Sequence, residues 1–431
     1  MDNNFKKALA WICVILFLIL TPVTILYSQG YRLDWNPPIG RIKITQTGGL
    51  FFRILPQPAE IFLDSKFKKT TDFLFGSSLI DNLLPKKYDI SIRKEGYYSW
   101  EKQLEVKEKM VTAAESILLI PKNIDLTIIS TDIENFWLAP DNKNLILKET
   151  SSNNENNWSL KLYNLSKKIK SHLIEESDIY AKGADLMGLE FSDNSKDIFL
   201  EIGIKEQIKK FDLEISQTPP ILKEIKEQSI PIDNIITYKK LGEDIYYLDD
   251  LGYIFKTDSS FKQKNQITQT PFTVLPETNY ELNKFKDLIF LKEKKTLYLF
   301  NQESNLWEKF FEPVSGLVLS PDSKKLVYFS DYEIWTMFLE DIQEQPSRQT
   351  GDKILIMRLS EKIKDVNWLN YSYLIITTEN KIKISEIDER DKANIVDLVQ
   401  LPNPKVSFNE TDKKLYILSD NTLYQSKPIL P

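Results

Sequence analysis

The clearest pattern along the chain is an uninterrupted apolar run over residues 8–27, which contains no charged side chain. Lys6 and Lys7 precede it, and the rest of the 431-residue chain has mixed polarity. A run of about 20 apolar residues matches the hydrocarbon thickness of a bilayer. The pattern predicts a tail and transmembrane anchor over residues 1–30, with the lipid-facing or helix-packing side chains Ala8, Trp11, Leu16, Leu20 and Tyr27.

A cleaved signal peptide is the alternative to an anchor. Signal peptides have a shorter apolar region of about 7–15 residues and a small-residue cleavage site, whereas only Ser28 and Gly30 follow the run here. Ile12 precedes Cys13 where a lipoprotein signal has a small residue, so Cys13 is interpreted as a small hydrophobe of the span. Short N-terminal tails stay in the cytoplasm. We therefore predict a single-pass protein with a cytoplasmic N-terminus and an extracytoplasmic body.

Strict alternation of apolar and polar positions follows a predicted linker over residues 31–47. It predicts half-buried strands, separated by turns rich in Pro, Asp, Lys and Gly. These strands make residues 48–122 a compact β-domain. The predicted strands are residues 50–54, 59–63, 88–93, 97–106 and 112–120.

This segment resembles the PEGA domain, a small β-sandwich of surface-associated proteins in bacteria and archaea. The resemblance is carried by Pro56-x-x-Ala59-x-Ile61-x-Leu63-Asp64, by Pro85 with Tyr88-x-Ile90-x-Ile92, and by Lys94-x-Gly96-Tyr97-x-x-Trp100-x-x-x-Leu104-x-Val106. It implies a binding or spacer module without catalytic residues. The chain departs from the family pattern at Asp72, at Lys87 and in an extra apolar segment, 73–80, which is predicted as an inserted turn or a helix.

The signature residues also have plain structural interpretations. Trp100 and Tyr97 are expected as core or hairpin aromatics rather than sugar-stacking platforms. Gly96 is expected to supply a positive φ. Asp64 is expected to stabilise a turn rather than to bind a metal.

After residue 122 the chain repeats one element seven times: a short apolar strand, a polar turn and a second apolar strand. The predicted hairpins pair residues 145–148 with 160–163, 198–200 with 208–211, 245–248 with 253–255, 288–291 with 297–300, 326–329 with 334–337, 373–377 with 382–385, and 415–418 with 423–425. A further apolar strand precedes most hairpins, at residues 136–138, 189–191, 235–238, 317–319, 366–368 and 406–408. A repeat of about 40–50 residues with several strands per unit predicts a β-propeller over residues 123–431.

The ends of this region are predicted to close the ring. The seventh unit has no outer strand after its hairpin, and the apolar segment 124–129 can supply it, which removes an exposed sheet edge. Seven blades are therefore favoured, with six or eight as alternatives. Turns at 139–143, 192–196 and 320–324 resemble the Ser-Pro-Asp-Gly-Lys turns of Tol-type and WD-like propellers. Asp141, Asp193 and Asp322 are expected to stabilise these turns, with cation binding as the minor alternative.

Composition narrows the function classes. The formal net charge is −6 with acids and bases interspersed, which argues against nucleic acid. The body has no cysteine and the chain has one histidine, His172, so no disulfide framework, zinc cluster or nucleophile motif is predicted. No catalytic residue, cofactor or metal is predicted.

These observations favour a mostly-β, non-catalytic, membrane-anchored protein of the bacterial cell envelope or surface, whose propeller binds an envelope polysaccharide or protein. One alternative is a glycan hydrolase or lyase with paired carboxylates in the propeller channel. Another is an envelope assembly or secretion factor. Five tryptophans are candidates for sugar contacts, although packing between blades is favoured for most of them: Trp137, Trp158, Trp307, Trp335 and Trp368.

Overall fold

A computed structural model describes residues 3–34, 43–150, 158–180, 183–192, 194–205, 207–225, 234–258, 261 and 263–431. It confirms the predicted fold class: one N-terminal apolar helix followed by β-structure that includes a β-propeller. Two helices are described, α1 (Asn3–Ser28) and the single turn α2 (Glu176–Ile179). The segment Leu9–Ser28 of α1 is the one described helix long and apolar enough to cross a membrane.

Helix α1 exposes its apolar side chains on all sides. Trp11, Leu16, Leu20 and Tyr27 are each about half exposed or more, and Ala8 lies in the same helix. By its length and composition this helix could cross a membrane, and a signal sequence near the N-terminus has the same properties.

The segment predicted as a linker contains a short hairpin. Strand β1 (Tyr31–Asp34) pairs antiparallel with β2 (Lys43–Gln46), while residues 35–42 lie outside the described part. The Thr47 amide then donates to the Gly30 carbonyl over 2.8 Å. The end of α1 is therefore joined to the start of the small domain by backbone pairing.

Two sheets form the small domain. Its strands are β3 (Gly48–Leu55), β4 (Glu60–Leu63), β5 (Lys66–Thr70), β6 (Ser77–Leu83), β7 (Lys87–Arg93), β8 (Trp100–Glu105) and β9 (Val111–Leu118). One sheet has the order β6-β3-β9 and the other the order β5-β4-β7-β8. Inward-facing apolar residues such as Phe52, Ile61 and Ile92 are fully buried between them. The extra segment 73–80 is a turn that leads into β6, and no part of it is helical.

Seven four-stranded sheets follow in the described part of residues 126–426. Sheet 1 contains β11 (Ile133–Leu138), β12 (Asn144–Thr150), β13 (Trp158–Asn164) and β14 (Ile169–Glu175); sheet 2 contains β15 (Ala184–Phe191), β16 (Asp197–Ile204), β17 (Gln207–Glu214) and β18 (Ile221–Ile225); sheet 3 contains β19 (Ile235–Leu241), β20 (Asp244–Asp249), β21 (Ile254–Asp258) and β22 (Asn265–Gln266); sheet 4 contains β23 (Tyr280–Phe285), β24 (Leu288–Glu293), β25 (Thr296–Asn301) and β26 (Leu306–Phe311).

The remaining sheets complete the propeller. Sheet 5 contains β27 (Gly316–Leu319), β28 (Lys325–Phe329), β29 (Glu333–Phe338) and β30 (Lys353–Arg358); sheet 6 contains β31 (Ile363–Asn370), β32 (Tyr373–Thr378), β33 (Lys381–Glu386) and β34 (Ile395–Gln400); sheet 7 contains β35 (Lys405–Asn409), β36 (Lys414–Ser419), β37 (Thr422–Ser426) and β10 (Leu126–Ser130). All seven predicted hairpins are confirmed as the two middle strands of these sheets.

Sheet 7 joins the two ends of the propeller. Strand β10 pairs antiparallel with β37, with Leu126 opposite Ser426 and Ile128 opposite Tyr424. This confirms the predicted closing role of the segment before the first unit. Seven four-stranded sheets in the described residues, one of them completed from both ends, fit a closed propeller.

Apolar side chains from neighbouring sheets make the propeller core. For example, Phe136 and Leu145 of sheet 1 are fully buried in one cluster with Tyr416 and Leu423 of sheet 7. First strands of neighbouring sheets also contact one another, such as β27 with β31, β31 with β35 and β35 with β11. These first strands are therefore the inner strands of the ring.

Gly252 is required by the turn between β20 and β21. Its φ is +89°, and an added Cβ would lie 1.9 Å from the carbonyl oxygen of Phe272. Gly252→Ala is expected to lower the free energy of unfolding by about 3 kcal/mol, because left-handed strain and overpacking add. Gly242 is the matched control, since its φ is +61° and nothing lies within 4 Å of an added Cβ. Denaturant unfolding of both variants would contradict this account if Gly242→Ala cost as much as Gly252→Ala.

Candidate binding site at the domain junction

The small domain contacts the propeller through β8, β9 and the residues next to them. The Gln345 side chain bonds the edge of β9 twice: it accepts from the Ala113 amide over 2.8 Å and donates to the Val111 carbonyl over 3.0 Å. The backbone of β8 donates to propeller side chains, from Glu101 to Asn394 and from Gln103 to Asp391. Strand edges are therefore satisfied across the junction.

The two domains also share a hydrophobic cluster. Leu118 and Ile120 at the end of the small domain are buried in the same cluster as Ile375 of sheet 6 and Leu415 of sheet 7. The Leu118 amide donates to the hydroxyl of Tyr373 over 2.9 Å. Burial raises the pKa of that hydroxyl well above its ordinary value. A shared core and satisfied backbone bonds together fix the small domain against sheets 6 and 7.

A buried ion pair crosses the same junction. Lys102 Nζ lies 2.7 Å from Glu386 Oε1, and the two side chains are 0% and 5% exposed. Trp100 Nε1 donates to Glu386 Oε2 over 2.7 Å, and Lys102 donates to the Asp388 carbonyl over 2.6 Å. Burial raises the pKa of Glu386, against the opposing effect of Lys102. All these groups find partners, as buried polar groups must.

A cavity of about 390 Å³ lies beside this ion pair. Its walls come from both domains: Arg53, Trp100 and residues 114–117 of the small domain, and turns of sheets 5 and 6 in the propeller. The volume falls within the usual range of ligand pockets. The propeller wall includes Asp322, Lys324, Lys325, Phe338, Glu344, Tyr371, Asp388, Glu389 and Arg390.

Paired charges dominate the propeller wall of the cavity. Lys325 Nζ lies 3.1 Å from Asp322 Oδ2, and Arg390 lies 2.5 Å from Asp388 Oδ2. Burial on its own would raise the pKa of Asp388, but the Arg390 hydrogen bond and the Lys102 charge outweigh it and hold that pKa below its ordinary value. Carboxylates held in ion pairs are fixed charges rather than proton-transfer groups. This lining is suited to binding a polar, charged ligand.

The predicted signature residues are mostly structural. Ala59 and Tyr88 are buried in the small-domain core, Pro56 begins the bend after β3, and Tyr97 packs against the core. Gly96 has the expected positive φ of +81°. The structure brings Trp100 alone among them to the cavity.

Asp64 joins the turn after β4 to the beginning of β7. Its Oδ1 accepts from the Asp89 amide over 3.2 Å, and its Oδ2 accepts from Lys86 over 2.7 Å. The Lys86 hydrogen bond lowers the pKa of Asp64. A carboxylate occupied in this way is not a free metal ligand.

The aspartates of two predicted propeller turns accept hydrogen bonds from within their own turns. Asp141 Oδ1 accepts from the Lys143 amide, and Asp322 Oδ1 accepts from the Lys324 amide and the Ser320 hydroxyl. Asp193 lies outside the described residues. Within the part of the chain that the structure describes, no group of three or more His, Cys, Asp or Glu side chains could hold a metal ion.

The five candidate tryptophans pack inside the propeller. Trp158 and Trp368 are buried, and Trp137, Trp307 and Trp335 pack against hydrophobic clusters. The indoles of Trp158 and Trp368 donate to the Ala184 and Val318 carbonyls. All five therefore pack in the propeller as predicted: Trp158 and Trp368 are buried, and the other three are half-buried.

Sequence reasoning missed Lys102 and Glu386, although one signal was present. Lys102 stands on the buried face of β8, between Trp100 and Leu104, in a strand whose burial alternates strictly. A lysine on the apolar face of an alternating strand needs a buried partner. Glu386 lies 284 positions further along the chain (386 − 102), and no local pattern indicates it.

The chain matches no family model and none of the curated proteins. Solved structures with similarity include the β-propeller domain of Cps50 (Swd1) from Myceliophteria thermophila, at 10% identity and a TM-score of 0.42, covering 71% of this chain and 99% of that one. YCF48 from Cyanidioschyzon merolae is similar at 10% identity and a TM-score of 0.44, covering 70% of this chain and 98% of that one. A chain of the mitotic checkpoint complex is similar at 10% identity and a TM-score of 0.42, covering 71% and 94%. The propeller assignment rests on the seven sheets described above.

Proposed function

We propose that this protein is a non-catalytic, membrane-anchored binding protein of the bacterial cell envelope. Helix α1 anchors it with the N-terminus in the cytoplasm, and the PEGA-like small domain holds the propeller at a fixed position outside the membrane. The observation that carries the proposal is the cavity at the junction, whose walls come from both domains and combine apolar side chains with paired charges, beside the buried ion pair that crosses the junction. Rigid frames that present loop residues are typical of binding sites.

The partner proposed for this site is a protein. Its charged wall matches an oppositely patterned polypeptide surface, because fixed charges of both signs select partners by complementarity. Sugar recognition commonly uses an exposed aromatic ring, whereas Trp100, the tryptophan of the cavity wall, is 3% exposed and the five candidate tryptophans pack in the propeller. Envelope polysaccharide is the alternative that the following experiment separates.

A pull-down with residues 31–431 against isolated cell envelope tests this proposal. Binding is expected to disappear when the envelope is treated with protease beforehand, and to weaken by about tenfold in Lys324→Glu, which reverses an exposed charge on the cavity wall. Lys209→Glu on sheet 2 is the matched control, because its side chain is similarly exposed, at 41% against 47%.

Retention after protease treatment would assign the binding to polysaccharide and overturn the protein partner. If Lys324→Glu and Lys209→Glu weakened binding equally, the cavity would not be the binding site. A reporter that is active only in the cytoplasm, fused after Pro431, is expected to be inactive, and its activity would overturn the proposed orientation.

A further inference from the structure

Three consecutive large apolar side chains stand in solvent at one corner of the small domain. Phe73, Leu74 and Phe75 are 75%, 73% and 73% exposed. They form the turn between β5 and β6, named here the apolar loop. Single exposed apolar residues are ordinary on protein surfaces, but a contiguous exposed group indicates a contact surface.

The apolar loop is held in one conformation by its flanking residues. Asp72 Oδ1 accepts from the amides of Leu74 and Phe75 over 3.0 and 2.5 Å, and its Oδ2 accepts from the amide and hydroxyl of Ser77 over 2.7 and 2.6 Å. The Ser77 hydroxyl and the backbone bonds lower the pKa of Asp72 to about 2. Gly76 has a φ of +63°, and an added Cβ would lie 2.2 Å from the Ile54 carbonyl oxygen. The bonds of Asp72 and the conformation of Gly76 therefore hold the turn in a shape in which all three apolar side chains point into solvent.

The strand before the apolar loop is basic. Strand β5 is exposed along its whole length and contains Lys66, Lys68 and Lys69. Phe67 between them is 56% exposed. The opposite side of the apolar loop carries one exposed acid, Asp81 on β6. Asp72 within the loop and Glu60 opposite Thr70 of β5 are further acids. The surface around the apolar loop therefore combines exposed rings with a row of three lysines on β5.

Sheet order places this surface on the side of the small domain that faces away from the propeller. Strands β8 and β9, at one edge of each sheet, contact the propeller, whereas β5 and β6 are the opposite edges. Helix α1 reaches the same side: Arg32, just after the helix, donates to the Asn82 side chain of β6 over 2.7 Å and to the Tyr27 carbonyl at the helix end over 2.8 Å. The apolar loop and the anchor are thus attached to opposite ends of the same edge strand, the loop before Ser77 and the anchor beside Asn82.

We propose that the apolar loop and the lysines of β5 are a second membrane contact, which docks the small domain on an anionic bilayer. The proposal rests on the proposed anchoring by α1. Phe73, Leu74 and Phe75 enter the boundary between headgroups and acyl chains, and the lysines contact anionic headgroups. With two contacts on one edge, the small domain cannot swivel about a single helix. The cavity then stands at a fixed orientation to the membrane.

The test uses the full chain, with Cys13→Ser to remove the one native thiol, reconstituted in vesicles of equal parts phosphatidylcholine and phosphatidylserine. An environment-sensitive fluorophore is attached to Leu74→Cys, and its quenching by brominated lipids is measured. Leu251→Cys, in a turn of sheet 3, is the matched control, because Leu251 is 70% exposed against 73% for Leu74. Leu16→Cys in α1 reports insertion of the anchor.

The fluorophore at position 74 is expected to shift to the blue and to lose most of its emission to brominated lipid, whereas the one at position 251 stays unquenched. Replacing phosphatidylserine with phosphatidylcholine is expected to reduce the quenching at position 74 several-fold, because the lysines lose their partners. Quenching at position 16 without quenching at position 74 would overturn the second contact and leave the anchor in place. Absence of quenching at position 16 would overturn the anchor itself.

Discussion

Lys102→Met is expected to lower the free energy of unfolding by about 3–5 kcal/mol, because it leaves the Glu386 carboxylate buried without its cationic partner. Methionine fills the space of the lysine stem, so the loss reports the missing charge rather than a cavity. Trp100 and the backbone and side-chain amides of Asn394 continue to donate to Glu386, but neutral donors do not replace an ammonium group. Denaturant unfolding followed by tryptophan fluorescence measures the effect.

The matched control for this variant is Lys209→Met, which removes an exposed ion pair with Glu224 and is expected to cost less than about 1 kcal/mol. The double variant Lys102→Met/Glu386→Gln is expected to recover most of the loss, because glutamine removes the unpaired charge and keeps an acceptor for the donors of Trp100 and Asn394. A double variant as unstable as Lys102→Met would contradict the ion-pair explanation.

The loss of stability caused by Lys102→Met is also expected to depend on pH, and to become smaller in acid. Burial raises the pKa of Glu386 in the folded protein above its ordinary value of 4.5, and loss of Lys102 removes a group that opposes this rise. The folded state then binds a proton more readily than the unfolded state, so the deficit relative to the wild type shrinks as the pH falls toward 4.5. A deficit that grows on acidification would contradict this assignment.

Replacing the closing strand Leu126–Ser130 by a Gly-Ser sequence is expected to lower the free energy of unfolding by about 5 kcal/mol or more. Five residues of strand are lost to a flexible sequence, at about 0.5–1 kcal/mol each, and β37 becomes an unpaired edge at the point where the ring closes. We expect hydrogen exchange to show lost amide protection in β36 and β37 as well as a lower melting temperature.

The outer strand of sheet 2, Ile221–Ile225, provides a control of the same length. It pairs with β17 at the outer edge of its sheet but does not join the two ends of the propeller. The same Gly-Ser replacement there removes a similar number of strand residues and leaves the ring closed. If the two replacements lowered the free energy of unfolding equally, ring closure would contribute no stability beyond that of local strand pairing.

Periodicity was sufficient to predict the parts of the fold that bury one face. The middle strands of all seven sheets are apolar enough to stand out, and the closing strand was identified from its apolar sequence and its place before the first unit. Strand β5 was missed because an edge strand rich in lysine has no apolar face to detect. The first strand of sheet 4, Tyr280–Phe285, was missed because polar residues occupy half of its positions.

The junction could not be predicted in the same way. Its contacts join residues of the small domain to residues of sheets 5 and 6 that lie far along the chain, such as Ala113 with Gln345 and Trp100 with Glu386. Alternation indicates which residues of a strand face inward, but it does not say which distant surface they meet. The alternation of β8 was enough to predict that Lys102 is buried, but it gave no indication that Glu386 is its partner.

Ring closure also sets the order in which this protein can become complete during synthesis. Leu126 and its partner Ser426 are 300 positions apart (426 − 126), so the pairing waits for the last strands of the chain to emerge. Contacts of such separation form late and slowly. Until then β10 has an unpaired edge and the cluster around Leu118 and Ile120 lacks its sheet 7 residues. The nascent chain thus has an unfinished, aggregation-prone edge for most of its synthesis.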